Sequence, residues 1–187
     1  MKQTKNTGQR VLLRRQWLRA ALVSIAGGAA RAATSRSTLS PQEFREQLDG
    51  PICSVPTVYR GDFSLDHEGF RNVLETGVKA GCRVFTLTAG NNQYDRLTYG
   101  EIKQLTRTFV EAVAGRGLTI AATGQWWTGQ AVDYAKYAAS LGTDALQVQV
   151  PAYGDEALLV GHFRQIAAAG PPSIVLHGQV ALPLLER

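Results

Sequence analysis

The sequence runs to 187 residues, 44% apolar and 19% charged, with a formal net charge of +5. That length suits one domain with an ordinary core, and the composition excludes a disordered or collagen-like chain. The charge is no argument for nucleic-acid binding: seven cations and no acids precede Ala33, leaving 13 cations against 15 acids in the rest, so the basic balance belongs to a leader.

Residues 1–33 have the parts of an export signal. A cationic start leads into the apolar run from Ala20 to Ala26, and small residues end in Ala30-Arg31-Ala32. The run is too short to span a bilayer, so no stable membrane span is expected. Arg14-Arg15-Gln16-Trp17-Leu18-Arg19 resembles the twin-arginine export motif, which implies a periplasmic or extracellular destination. A general secretory signal is one competing reading. A start codon placed upstream of a cytoplasmic enzyme is the other.

Residues 34–48 read as a polar linker and a short helix. Ser40 supplies the capping hydroxyl, Pro41 the first helical position and Glu43 the third. Strand one is expected at Ile52–Thr57. Asp66 then caps a helix with Phe70, Val73, Leu74 and Val78 on one face, and Gly81 stops it. Val84–Thr88 is β-branched and aromatic, hence strand two. After a Gly- and Asn-rich loop, Thr98 and Glu101 form a second capping box before Ile102, Leu105, Phe109 and Val113.

Leu118–Ala122 reads as strand three. A helix starts at Thr128 and carries Ala131, Tyr134, Ala135 and Ala138 to Leu141-Gly142. Strand four is expected at Ala145–Val150, a helix at about Asp155–Ala169, and strand five at Ser173–His177. Strands alternating with helices over short loops imply an α/β fold with a parallel sheet. Periodicity leaves an open doubly wound sheet and a barrel equally available.

Cys53 and Cys82 sit in or beside apolar segments and read as buried thiols, which export would allow to pair. With His67, His162 and His177 they show no metal-ligand spacing, so no metal and no cofactor are expected. No Gly-x-Gly-x-x-Gly or phosphate loop supports a nucleotide site.

Several segments in one order carry a family resemblance. Gly50-Pro51-Ile52-Cys53-Ser54-Val55-Pro56-Thr57 is followed by Ala80-Gly81-Cys82-Arg83-Val84 and by Leu97-Thr98-Tyr99-Gly100-Glu101. Then come the alanine-rich helix into Gly142-Thr143-Asp144-Ala145 and Pro151-Ala152-Tyr153. Together, over about 140 residues, they resemble the dihydrodipicolinate synthase / N-acetylneuraminate lyase family of pyruvate-dependent class I aldolases. The resemblance implies an eight-stranded (β/α) TIM barrel, of which residues 49–187 hold about the first five β/α units. Its active site would lie at the C-terminal ends of the strands.

The implied chemistry is a lysine Schiff base with pyruvate or another 2-keto acid, used by aldolases, synthases and dehydratases. Gly90, Asn91 and Asn92 fall in the loop that holds the keto acid's carboxylate in the family. Asn donors can serve there, although the family's glutamate is replaced by Gln93 or Tyr94. Tyr153 matches the tyrosine that serves the proton relay and the neighbouring subunit's site. His177 stands where the family has its strand-five tyrosine, and a histidine can shuttle protons near neutral pH. Trp126 and Trp127 are possible ligand contacts, since a Trp pair at a barrel mouth could stack on a sugar-like ligand or pack under a loop.

The family's imine-forming lysine lies beyond strand five, and no lysine follows Lys136 here. The expectation is a lyase fragment that is inactive by itself. The alternative is an exported, non-catalytic, self-associating half-barrel. If folded, the chain is expected to form a homo-oligomer that buries its open strand edges.

Overall fold

The computed structural model describes residues 37, 39–151 and 154–178. The 1–33 signal, most of the linker, Tyr153 and residues 179–187 lie outside the described residues.

Local signals set most of the elements. Helix α1 (Pro41–Gln47) opens on the expected capping box, the Ser40 hydroxyl accepting from the Glu43 N–H while the Glu43 carboxylate accepts from Ser40 N–H. Strand β1 (Ile52–Ser54) and helix α2 (His67–Lys79) follow, the helix capped by the Asp66 carboxylate accepting from the Glu68 and Gly69 amides. After β2 (Val84–Thr86) comes a 3-10 turn (Tyr94–Arg96) and helix α3 (Tyr99–Val113), whose Thr98–Glu101 capping box forms as expected. Strand β3 (Leu118–Ala122), helix α4 (Thr128–Leu141), strand β4 (Ala145–Gln149), helix α5 (Glu156–Ala169) and strand β5 (Ser173–His177) complete the order.

All five strands are parallel and lie in the order β1-β2-β3-β4-β5. This resolves what periodicity left open, because a doubly wound sheet reverses its strand order at a switch point and a barrel does not. Consecutive helices pack on one another, α2 on α3, α3 on α4 and α4 on α5. The result is a curved segment of a TIM barrel, helices outside.

Alternation along each strand divides the core into two faces. Val84, Leu118, Ile120 and Ala145 pack on the inner face, where Phe44 of α1 covers them with Leu39 and Val175 alongside. Phe85, one residue on from Val84, points the other way into Phe70, Leu74, Leu105, Phe109 and Val113. A second outer cluster joins Ala121, Leu146 and Val148 to Ile102, Ala131, Tyr134, Ala135 and Ile166. Asp144 ties the N-terminal ends together: its carboxylate accepts from Ser37 Oγ at 2.8 Å, Thr119 N at 2.8 Å and Thr119 Oγ1 at 2.9 Å.

Strands one, two and four are shorter than the sequence suggests. Beyond Ser54 the Val55 carbonyl accepts from the Asn92 side chain at 2.7 Å, and Pro56 has no N–H to extend the ladder. Past Gln149 the next residue, Val150, still donates to the His177 carbonyl at 3.1 Å, but Pro151 then ends the run. Among the described residues, no helix is long and apolar enough to cross a membrane.

Candidate functional site

Register and alternation fix which side chains reach the inner face at the C-terminal rim. Val84 is inner, so Thr86 two residues on is inner, and so is its register partner Ser54. Val175 is inner, which places its partner Gln147 and the next pair, Gln149 and His177, on that face. The lower inner face is apolar apart from Ser173. The rim is polar: Ser54, Thr86, Gln147, Gln149 and His177.

The loop after β2 is bound to the end of β1 by side-chain amides. Asn92 is fully buried, its Oδ1 accepting from Thr88 N at 2.7 Å while its Nδ2 donates to the Val55 carbonyl at 2.7 Å. Thr57 Oγ1 donates to the Asn92 carbonyl at 2.9 Å. Asn91 is exposed, and its Nδ2 donates to Ser54 Oγ at 3.0 Å and to the Ser54 carbonyl at 3.2 Å. Within the loop the Asn92 N–H donates to the Thr88 carbonyl and the Gln93 N–H to the Gly90 carbonyl, a helical turn closed by Gln93 at φ +52°. Gly90 is exposed, and a Cβ built on it would meet open space.

Of the three loop residues expected to hold a carboxylate, Gly90 and Asn91 are exposed, Asn91 beside Ser54. The Asn92 side chain instead is occupied within the protein and fixes the loop's position. His177 is exposed at the end of β5, its Nδ1 2.6 Å from Gln149 Nε2. Gln147 Oε1 is buried with no hydrogen-bond partner. Tyr153 lies outside the described residues.

The tryptophans part company. Trp126 is half-buried, parallel to Tyr94 at 6.1 Å and edge-on to Tyr99 at 5.4 Å and Tyr134 at 5.2 Å, so it packs under its loop on the helix side of the sheet. Trp127 is 72% exposed. Burial holds the Tyr94 hydroxyl well above the usual tyrosine range and pushes Tyr134 up to about 12, so neither ionises near neutrality. The described lysines, Lys79, Lys103 and Lys136, all lie on helices, and Lys103 pairs with Asp133 at 2.7 Å.

Ser54, Thr57, Thr88 and Gln149 belong to this rim and were not singled out from sequence. Gln147 and Gln149 did carry a signal, two polar residues at strand spacing inside an otherwise apolar run.

The model of the Dihydrodipicolinate synthetase family matches residues 47–178. A 4-hydroxy-tetrahydrodipicolinate synthase from Stenotrophomonas maltophilia is 30% identical over 132 residues, covering 70% of this chain and 44% of the relative. A probable 5-dehydro-4-deoxyglucarate dehydratase from Streptomyces coelicolor is 34% identical over 132 residues, covering 68% and 41%. Among solved structures, a prophage protein of the dihydrodipicolinic acid synthase family from E. coli K12, in complex with pyruvate, superposes with a TM-score of 0.67 at 24% identity, covering 71% of this chain and 45% of that one. The chain thus spans less than half the length of these relatives.

Proposed function

Because this chain belongs to the Dihydrodipicolinate synthetase family, we propose that its rim holds a 2-keto acid such as pyruvate for a lysine Schiff-base lyase. The observation that supports this reading most is the Asn-bound loop after β2, in which Gly90 is exposed and exposed Asn91 lies beside Ser54 of the inner face. A carboxylate there would accept from the Gly90 N–H and would draw the Asn91 amide away from Ser54, charge-assisted bonds that favour the anion. His177, across the rim and anchored by Gln149, would move protons to and from the bound acid, and Tyr153 would take the family tyrosine's part in the relay.

Imine formation needs an uncharged amine aimed into the barrel, and the helix-borne Lys79, Lys103 and Lys136 do not offer one. On this reading the amine comes from a residue other than these three. The chain's basic leader supports export as a twin-arginine substrate.

The test is intact mass of the native protein, followed by borohydride trapping and calorimetric titration with pyruvate. A longer native species that gains a pyruvate adduct supports a lyase of which this chain is a part. Saturable pyruvate binding without an adduct, from a species of this length, supports holding without chemistry. Neither binding nor adduct would sink the reading.

A second reading, a self-associating half-barrel, is favoured by β1 and β5 standing at the two ends of the strand order among the described residues and by Ile52, 55% exposed on β1. Sedimentation showing a defined oligomer without pyruvate affinity would select it.

A further inference from the structure

Helix α2 ends in a turn that directs one cysteine at the other. Gly81 adopts φ +89°, its N–H donates to the Val78 carbonyl at 3.0 Å, and the Cys82 N–H donates to the Gly77 carbonyl at 3.1 Å. This is a Schellman ending, in which the residue two beyond the cap lays its side chain over the helical residue that accepts its N–H. Here the covering residue is Cys82 and the covered residue is Gly77, which has no side chain.

The vacated space belongs to Cys53. A Cβ built on Gly77 would lie 3.3 Å from Cys53 Sγ and 3.0 Å from the Phe85 ring. Cys53 comes from β1, opposite Phe85 in the ladder, so the thiol from the strand fills the place over which Cys82 is folded. Both cysteines are free, half-buried and packed against the same outer cluster. Burial first, and the adjoining Cys82 thiol second, raise the Cys53 thiol above its ordinary range.

We infer that Cys53 and Cys82 are a disulfide-forming pair, an oxidation site that closes β1 onto the end of α2. The step is thiol–disulfide exchange with a small or protein disulfide oxidant. One cysteine thiolate attacks a sulfur of the oxidant, giving a mixed disulfide and releasing one thiol. The second cysteine's thiolate attacks the protein sulfur of that mixed disulfide, forming the Cys53–Cys82 bond and releasing the second thiol. The cysteines together give up two electrons and two protons, and the oxidant takes both.

The bond closes a loop of roughly 30 residues, which restricts the unfolded chain and raises thermal stability. It also secures the strand whose end, at Ser54 and Val55, carries the Asn91 and Asn92 contacts. The pairing does not depend on any ligand at the rim.

The experiment is incubation of the folded full chain with oxidised glutathione, then alkylation, non-reducing peptide mapping and thermal melting. The expected result is an intramolecular Cys53–Cys82 linked peptide, blocked to alkylation, with Tm higher by roughly 5 °C or more than the reduced protein. Cys53→Ala and Cys82→Ala should each lose the shift; the map on unaltered protein stands without them if either fails to fold. Glutathione adducts only, an intermolecular disulfide, or two freely alkylated thiols would overturn the inference. A linked peptide with unchanged or lowered Tm would overturn it too, since the bond would then not fit the native fold.

Discussion

Asn92 donates through its side chain to the Val55 carbonyl at 2.7 Å, across a sequence separation of 37 residues, with no part of the residue exposed. A buried amide thus takes over where the β1–β2 ladder stops. Asn92→Ala leaves the Val55 carbonyl and the Thr88 N–H without partners, each costing about 1–3 kcal/mol. We expect the urea midpoint to fall by the equivalent of about 2–4 kcal/mol. A loss under about 0.5 kcal/mol would show that water replaces the amide.

Exposed Asn91 behaves differently. Asn91→Ala is expected to leave the urea midpoint nearly unchanged and to weaken pyruvate binding about tenfold, the equivalent of ~1.4 kcal/mol. Titration calorimetry compares the two; equal affinity would remove Asn91 from the carboxylate contacts.

His162 is 2% exposed, with Nδ1 3.0 Å from Thr128 Oγ1 and Nε2 unpartnered. Burial lowers its pKa below the ordinary 6.5, so the folded state binds this proton less readily than the unfolded state. Stability from this group is therefore complete above pH ~6.5, declines as pH falls below that value, and levels off once pH passes the folded-state pKa. Denaturation measured from pH 7.5 to 5 should show this loss, and His162→Gln should reduce the slope. An identical slope in the variant would assign the acid sensitivity to other groups.

The two tryptophans should separate cleanly. Trp126→Ala removes a ring packed on Tyr94, Tyr99 and Tyr134 and is expected to cost about 3 kcal/mol, while Trp127→Ala, 72% exposed, should stay within about 0.5 kcal/mol. A larger fall in acrylamide quenching on replacing Trp127 than on replacing Trp126, with Trp17 present in both variants, would confirm which ring of the pair meets solvent.

Gly117 admits no side chain, because a Cβ there would lie 2.5 Å from the Arg83 carbonyl oxygen. Gly117→Ala must push β3 from β2 at its first rung, where Leu118 N donates to that oxygen at 2.7 Å. The expected loss is about 1–3 kcal/mol by thermal melting.

Features set by neighbours in sequence were legible before the structure. The capping residues Ser40, Asp66 and Thr98 act as their spacing suggests, and β3 and β5 fall at the expected residues. What was not legible depends on partners far along the chain. The end of β1 is decided by Asn92, 37 residues on, and the fate of Trp126 by tyrosines on two helices. That the Asn92 side chain fixes the loop was not legible, because a turn Asn and a structural Asn look alike until the Val55 carbonyl is placed. Strand order, which separates a barrel from an open sheet, is wholly non-local.

Thr123 offers a parallel to Asn92: its N–H donates to the Gln147 carbonyl, and its Oγ1 then accepts from Gln149 N at 3.0 Å. At both places a side chain, rather than a further rung of backbone, makes the last bond between the strands, donating at Asn92 and accepting at Thr123. Such joints behave as sockets. The frame below them keeps its alignment while the joint residue is kept, so residues 89–91 and 93 can be exchanged around a retained Asn92 without re-registering a strand. Variation in what the mouth accepts would then arise by replacing a few rim residues while the barrel wall stays the same.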